Sequence, residues 1–173
     1  MVHKFLNQCN IPWVHLIWES YYQNSLPPGE NAQCSFWWKD CLKLLDTYKL
    51  HSSCTPGSGK SILFWKDNWA GNTLNSQWPQ LASFALNPHM SLHQIINTED
   101  TSSLFHLPFS VEAFEQYQEM LGLLQNFPIL DQNDTWRFPS GVTSYAVSNT
   151  YIILMGEFHT IPAISWLWKA NCS

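Results

Sequence analysis

A Gly-Ser-Gly-Lys-Ser run at residues 57–61 contains the residue types that bind phosphate. In a nucleotide-binding P-loop, a glycine lies five positions before the final Gly-Lys-Ser/Thr, so that backbone amides wrap the anion, and a helix follows directly. Here Cys54 occupies that glycine position, and residues 61–65, Ser-Ile-Leu-Phe-Trp, are typical of a strand. The pattern therefore favours a tight turn, and nucleotide binding through Lys60 stays open as an alternative.

The turn interpretation predicts a β-hairpin around these glycines. Its arms would cover residues 48–55 and 60–66, and Gly57-Ser58-Gly59 would supply the positive φ angles that such turns require. Asp67 follows the second arm and stands between two tryptophans. We expect its carboxylate to accept hydrogen bonds from backbone amides at the strand end or from an indole N–H.

Other groups of residues that could support chemistry are incomplete. His89 and His93 have the i, i+4 spacing that can hold a metal on a helix, but Ser91 between them is typical of a helix cap, and a third ligand is missing. The five cysteines include no Cys-x-x-Cys pair, so neither a zinc knuckle nor a disulfide framework is indicated. No Gly-x-Ser-x-Gly nucleophile motif is present. The sequence predicts no catalytic residue, no metal site and no cofactor.

Composition narrows the classes of function. Eight Lys plus Arg against thirteen Asp plus Glu give a net charge of −5, which argues against an independent grip on nucleic acid because phosphate binding needs clustered cations. Ten tryptophans in a chain with 12% charged residues predict exposed aromatic patches that need a partner surface. The sequence has no secretory signal and no apolar run of about 18 residues. We therefore expect an intracellular protein, in the cytoplasm or nucleus, without membrane contact.

Helical periodicity and capping residues indicate the elements that position these motifs. Apolar residues at helical spacing predict a helix that begins at Pro12 and a second across residues 37–48. Residues 91–94 have the Ser-x-x-Gln pattern of a capping box. Ser110 is the expected cap of a longer amphipathic helix that ends before Phe127.

The last part of the chain predicts a second hairpin followed by a helix. A strand at residues 136–138 leads to a turn at residues 139–141. A helix follows over residues 144–156, with Ser144 as its expected cap and Gly156 as its expected end. The predicted fold is α+β, mainly helical with two short β-hairpins, and incompletely packed as expected of a fragment. We divide the chain into an N-terminal helical segment, residues 1–50, and a hairpin-plus-helix connecting region, residues 51–173.

Several stretches of this sequence carry a family resemblance. They are Gly-Ser-Gly-Lys-Ser-Ile-Leu-Phe-Trp-Lys-Asp-Asn-Trp at residues 57–69, Trp-Pro-Gln-Leu at 78–81, Thr-Trp-Arg-Phe-Pro-Ser-Gly at 135–141 and Trp-Leu-Trp-Lys at 166–169. In this order they resemble the region after the polymerase domain of plant non-LTR (LINE-type) retrotransposon reverse transcriptases. That region leads into the reverse-transcriptase zinc-binding domain. The likeness covers nearly the whole chain.

The resemblance implies a segment without polymerase activity. Reverse transcription needs two adjacent aspartates to hold metal ions, whereas this sequence contains no Asp-Asp pair and its nearest match, Glu99-Asp100, lies in a polar stretch. By the resemblance, the polymerase core would precede Met1 and the zinc ligands would follow Ser173, so Cys172 is not assigned as a ligand. We expect a non-enzymatic connecting or interaction fragment from a degenerate retroelement copy. Its partners would be the polymerase and zinc-binding segments of the parent polyprotein.

The alternative is an accessory module that contacts nucleic acid. In this interpretation Lys60 and Lys66 would touch phosphates, while an exposed ring at Trp65 would stack on a base. The two hypotheses differ in whether binding to RNA or single-stranded DNA exists and weakens steeply with salt.

Overall fold

The computed structural model describes residues 2–22, 35–125, 127–128 and 130–138, except for the side chains of Trp37 and Asp40. Helices and one pair of strands make up this part of the chain. The elements in chain order are α1 (Val2–Leu6), α2 (Pro12–Tyr21), α3 (Phe36–Leu50), β1 (Ser53–Thr55), α4 (Leu74–Gln77), α5 (Pro79–Ser83), α6 (Leu92–Ile96), a 3-10 helix (Thr101–Leu104), α7 (Val111–Gln125) and β2 (Thr135–Arg137). The α+β, mainly helical class is confirmed. The turn and helix predicted over residues 139–156 lie outside the described residues, and the division at residue 50 stays a prediction.

Local capping signals determine where several helices begin. Pro12 occupies the first turn of α2, as predicted. The Ser35 hydroxyl accepts from the Trp38 amide at the start of α3. Ser91 and Gln94 form the predicted capping box of α6, and the Ser110 hydroxyl accepts a 3.1 Å hydrogen bond from the Ala113 amide at the start of α7. Each cap satisfies amide groups that lack an intrahelical partner.

The sheet is not the predicted hairpin. β1 pairs antiparallel with β2, and Cys54 lies opposite Trp136 at the centre of the register. On the other side of β1, the Cys54 amide donates to the Asn68 carbonyl at 2.7 Å. The predicted pairing of residues 48–55 with residues 60–66 is therefore wrong.

Residues 60–66 do not form a hairpin arm because their backbone groups bond elsewhere. The Phe64 amide donates to the Met90 carbonyl at 3.0 Å, and the Ile62 carbonyl accepts from the Leu92 amide at 3.0 Å. Residues 61–65 are all buried, whereas a strand with one solvated face alternates between buried and exposed side chains. The apolar run reflects enclosure on all sides.

An aromatic cluster joins the N-terminal helices. The Phe5 ring on α1 lies 5.3 Å from Trp18 on α2 and 5.1 Å from Trp38 on α3. The Trp18 indole also donates to the Phe5 carbonyl at 3.0 Å. α1 contacts both α3 and β2, so this cluster connects the first helices to the sheet.

A second aromatic cluster encloses the middle of the chain. The Trp65 ring stands edge-to-face against Phe64 at 4.9 Å and against Phe105 at 6.2 Å, measured between ring centroids. Of the tryptophans whose side chains the structure describes, five are buried and two, Trp13 and Trp18, are partly exposed. The described tryptophans therefore do not form the exposed patches that composition predicts.

Candidate functional site

The Gly57–Ser61 loop binds an anion, and that anion is the carboxylate of Asp134. The amides of Gly57 and Gly59 each donate to Asp134 Oδ1 at 2.8 Å. The Ser61 amide and hydroxyl donate to Oδ2 at 3.0 and 2.7 Å. Asp134 is 5% exposed. Four donors thus surround one buried carboxylate, with two on each oxygen.

Further backbone contacts hold the loop against the segment that carries this carboxylate. The Leu130 amide donates to the Gly57 carbonyl at 3.0 Å, and the Ser58 amide donates to the Gln132 carbonyl at 2.7 Å. A Cβ at Gly57 would lie 2.7 Å from the Asn133 carbonyl oxygen, so only glycine allows this close approach. Residues 130–134 and the loop therefore fit together backbone to backbone.

Of the three residues predicted to supply positive φ angles, Gly59 has one, whereas Gly57 and Ser58 do not. The φ of Gly59 is +68°, and a Cβ there would lie 3.1 Å from the His93 amide nitrogen and 3.3 Å from Leu92 Cβ. The Gly59 carbonyl accepts from the His93 amide at 3.0 Å. Left-handed backbone at this position turns successive amides toward one concavity, which is the geometry of anion-binding nests.

A second buried carboxylate, that of Asp67, follows the loop in the sequence and forms a buried ion pair. Lys49 Nζ lies 2.9 Å from both carboxylate oxygens, and the Leu63 amide donates to Oδ2 at 2.8 Å. Asp67 is 1% exposed and the Lys49 side chain 10%. The Lys49 ammonium also lies 4.8 Å from the centroid of the Trp136 ring. The predicted backbone acceptor role of Asp67 is confirmed, whereas its cationic partner was not predicted.

An open polar pocket of about 260 Å³ adjoins the loop. Its lining includes Lys60 and Ser58 on one side and Asp131 and Asp134 on the other. Charges of both signs therefore face the same small volume. Asp134 belongs both to this pocket and to the hydrogen-bonded loop.

The three residues predicted to contact nucleic acid occupy different environments. Lys60 and Lys66 are exposed. Trp65 is 3% exposed and packs in the second aromatic cluster, so in this conformation the ring is not available to a base. The two lysine side chains are therefore accessible to phosphates, whereas the Trp65 ring is not accessible for stacking on a base.

Cys54 is a buried thiol beside the two carboxylates. Burial raises its pKa far above the ordinary value, and the negative charges of Asp134 and Asp67 raise it further, while Lys49 lowers it. Because the thiolate is the reactive form of cysteine, this thiol is held in its unreactive state. Its buried position at the centre of β1 gives it a packing role.

The paired histidines do not share a helical face. His93 lies in α6, and its ring nitrogen Nδ1 lies 3.2 Å from the side-chain nitrogen Nδ2 of Asn97. His89 precedes the helix and is exposed. Ser91 between them is the helix cap, as predicted. In the described residues, no group of three or more His, Cys, Asp or Glu side chains is arranged to hold a metal ion.

Sequence reasoning missed the residue that organises the loop. Asp134 lies 73 residues beyond Ser61, and no local pattern connects them. The one available signal was chemical, because a loop with glycines and a serine in alternation offers amide donors that require an acceptor. The residue types of the loop indicated phosphate as the one possible ligand, whereas the acceptor is a side chain of the chain itself.

Comparison with known proteins identifies no relative. No family model matches the chain, and neither a curated protein nor a solved structure matches it. None of the helices in the described ranges has both the length and the apolar character needed to cross a bilayer.

Proposed function

We propose that this chain is a non-catalytic connecting segment of a LINE-type reverse transcriptase polyprotein, carried by a degenerate copy of the element. In the parent polyprotein it would pack between the polymerase and the zinc-binding segments. The sequence resemblance suggests this family, and one structural observation supports the connecting role: polar groups of the motif residues form hydrogen bonds within the chain.

These bonds use donors from the first two stretches that carry the resemblance. Asp134, next to the 135–141 stretch, accepts from the 57–61 loop. Within the 57–69 stretch, the Trp69 indole donates to the Phe64 carbonyl at 2.9 Å. The Trp78 indole of the second stretch donates to Glu119 on α7 at 2.8 Å. Donors and acceptors that a binding or catalytic site would present to a ligand are instead used to hold distant segments together.

Mapping the native transcript and polypeptide tests the proposal. Amplification of both transcript ends should reveal a reading frame, open or decayed, with polymerase sequence upstream and a Cys/His-rich sequence downstream. A transcript that encodes this chain with unrelated sequence on both sides would contradict the proposal. The purified chain should also extend no primer in a reverse transcription assay with a homopolymer RNA template, and measurable synthesis would equally contradict it.

Contact with nucleic acid is a second candidate, favoured by the exposure of Lys60 and Lys66. In the described residues, neither lysine forms an ion pair. Two phosphate contacts on a single strand would give log K a slope of about −1.4 against log salt, since each contact contributes about −0.7.

Fluorescence anisotropy with labelled single-stranded RNA and DNA measures this slope. The Lys60→Gln/Lys66→Gln double variant should abolish binding and its salt dependence, whereas Lys39→Gln, an exposed lysine on α3, should leave both unchanged. Absence of binding at low salt would exclude the second candidate. Equal loss with Lys39→Gln would point to nonspecific attraction.

A further inference from the structure

We propose that the Gly57–Ser61 loop is an oxyanion-binding site whose resident ligand is the Asp134 carboxylate, and that Asp134 keeps free anions out of the Gly-Ser-Gly-Lys-Ser run. This inference goes beyond the connecting role and does not depend on it. The ligand class is a small oxyanion, with a planar carboxylate preferred over a tetrahedral phosphate.

The loop surrounds the Asp134 carboxylate with hydrogen-bond donors, as a binding site surrounds its ligand. Each Asp134 oxygen accepts two hydrogen bonds, and the four distances lie between 2.7 and 3.0 Å. Among the described residues, Lys49 forms its ion pair with Asp67 and not with Asp134. Amide dipoles and one hydroxyl therefore stabilise the Asp134 charge, as in protein sites that bind anions through backbone amides.

The loop geometry is fixed by contacts other than the carboxylate. The Gly59 carbonyl accepts from the His93 amide, and the Ser58 amide donates to the Gln132 carbonyl. Neither bond involves the Asp134 side chain, so we expect both to persist when that side chain is removed. The three amides and the Ser61 hydroxyl would then remain buried without an acceptor, which is unfavourable and favours capture of an anion.

The adjoining pocket gives such an anion a path and sets its preference. Lys60 and Asp131 both line it. Lys60 attracts an anion, whereas the Asp131 carboxylate repels a second negative charge. A singly charged planar carboxylate, which reproduces the two oxygens of Asp134, is therefore preferred over phosphate.

Anion rescue of the full chain tests the proposal. Tm is measured for the wild type and for Asp134→Ala in sodium formate, in sodium phosphate and in sodium chloride of equal ionic strength. The variant should have a lower Tm, and formate should raise it saturably by at least half of the loss. The wild type should respond to formate as it does to chloride. Formate should rescue the variant at a lower concentration than phosphate, and rescue by phosphate at an equal or lower concentration would contradict the carboxylate preference.

Two outcomes would overturn the proposal: no anion rescues Asp134→Ala, or formate stabilises the wild type as much as the variant. In the Asp134→Ala background, Ser61→Ala removes one donor and should weaken formate binding by roughly ten- to a hundredfold, since hydrogen bonds to charged groups contribute that much. Unchanged affinity would show that formate binds elsewhere.

Amide hydrogen exchange keeps the proposal testable if Asp134→Ala does not fold. In the wild type, the Gly57, Gly59 and Ser61 amides should exchange slowly. Asp134→Asn keeps an oxygen that can accept from Gly57 and Gly59 but replaces the acceptor of the Ser61 amide with an NH2 donor, so it should accelerate exchange chiefly at Ser61. The exposed Gly71 amide serves as the reference for an unprotected glycine. Exchange of Gly57 and Gly59 at the Gly71 rate in the wild type would refute the proposal.

Discussion

Replacement of Asp67 by asparagine removes one charge from a buried pair while it preserves side-chain shape. The wild-type carboxylate accepts from Lys49 Nζ at 2.9 Å through both oxygens and from the Leu63 amide at 2.8 Å. Asparagine can retain the bond to Leu63 through its oxygen, but its amide nitrogen then points donors toward the ammonium. The Lys49 charge would remain beside Trp136 without its anionic partner.

The expected loss of stability follows from the burial of the two side chains. Removal of one partner of a buried ion pair typically costs about 3–5 kcal/mol. Asp67 is 1% exposed but the Lys49 side chain is 10% exposed, so the ammonium can regain some hydration. We therefore expect about 3 kcal/mol, which corresponds to a fall in Tm of about 6–12 °C for a chain of this length.

Urea unfolding followed by tryptophan fluorescence measures the effect. Lys49→Met/Asp67→Asn removes both charges and should be more stable than Asp67→Asn alone, with a coupling energy of about 2 kcal/mol. Asp46→Asn, an exposed position on α3, is the matched control and should change stability by less than about 0.5 kcal/mol. A loss below about 1 kcal/mol for Asp67→Asn, or additive single effects, would refute this account of the ion pair.

Three further predictions concern other parts of the fold. Trp65→Ala should reduce the free energy of unfolding by about 3–5 kcal/mol because the ring is buried, and a near-zero change in urea unfolding would place the ring at the surface. Gly59→Val should destabilise by at least about 2 kcal/mol because a β-branched residue resists the φ of +68°. Its control, Gly122→Ala on exposed α7, should stabilise by about 0.5–1 kcal/mol, and similar effects of both substitutions would contradict the assigned backbone. Burial lowers the pKa of His3 from 6.5, so stability is complete above that pH and declines as pH falls through it. His3→Gln should reduce the difference in urea midpoint between pH 7.5 and pH 5.5, and an unchanged difference would assign the titration to another group.

Helices and their caps could be predicted because their signals are local. The start of α2 at Pro12, the capping box at Ser91 and the cap at Ser110 each depend on a few neighbouring residues. Helix faces were less predictable. Leu16 and Leu44 have the helical spacing of the apolar residues in α2 and α3, but they are 64% and 53% exposed, since packing selects only part of a wide apolar stripe.

The sheet and the loop were not predictable from local patterns. Residues 61–65 have strand-like composition, yet they are enclosed in the core, and their pairing is a single antiparallel bridge between Leu63 and Ser91. β1 pairs with β2, far along the chain, and Asp134 precedes that strand. The contact between Asp134 and the Gly57–Ser61 loop therefore depends on where β2 lies in space. The positive φ of Gly59 was predicted correctly, although it serves an anion nest and not a hairpin.

The distance between the loop and its carboxylate has a consequence for protein synthesis. Asp134 is translated 73 residues after Ser61, which corresponds to roughly 4–15 s on the ribosome. During that interval the nascent chain carries the donors of the loop without their acceptor, and β1 lacks its partner strand. Until Asp134 is made, cellular anions or chaperones can reach the loop. The order of synthesis therefore leaves the loop donors accessible for a short period, although the Asp134 carboxylate occupies them in the finished protein.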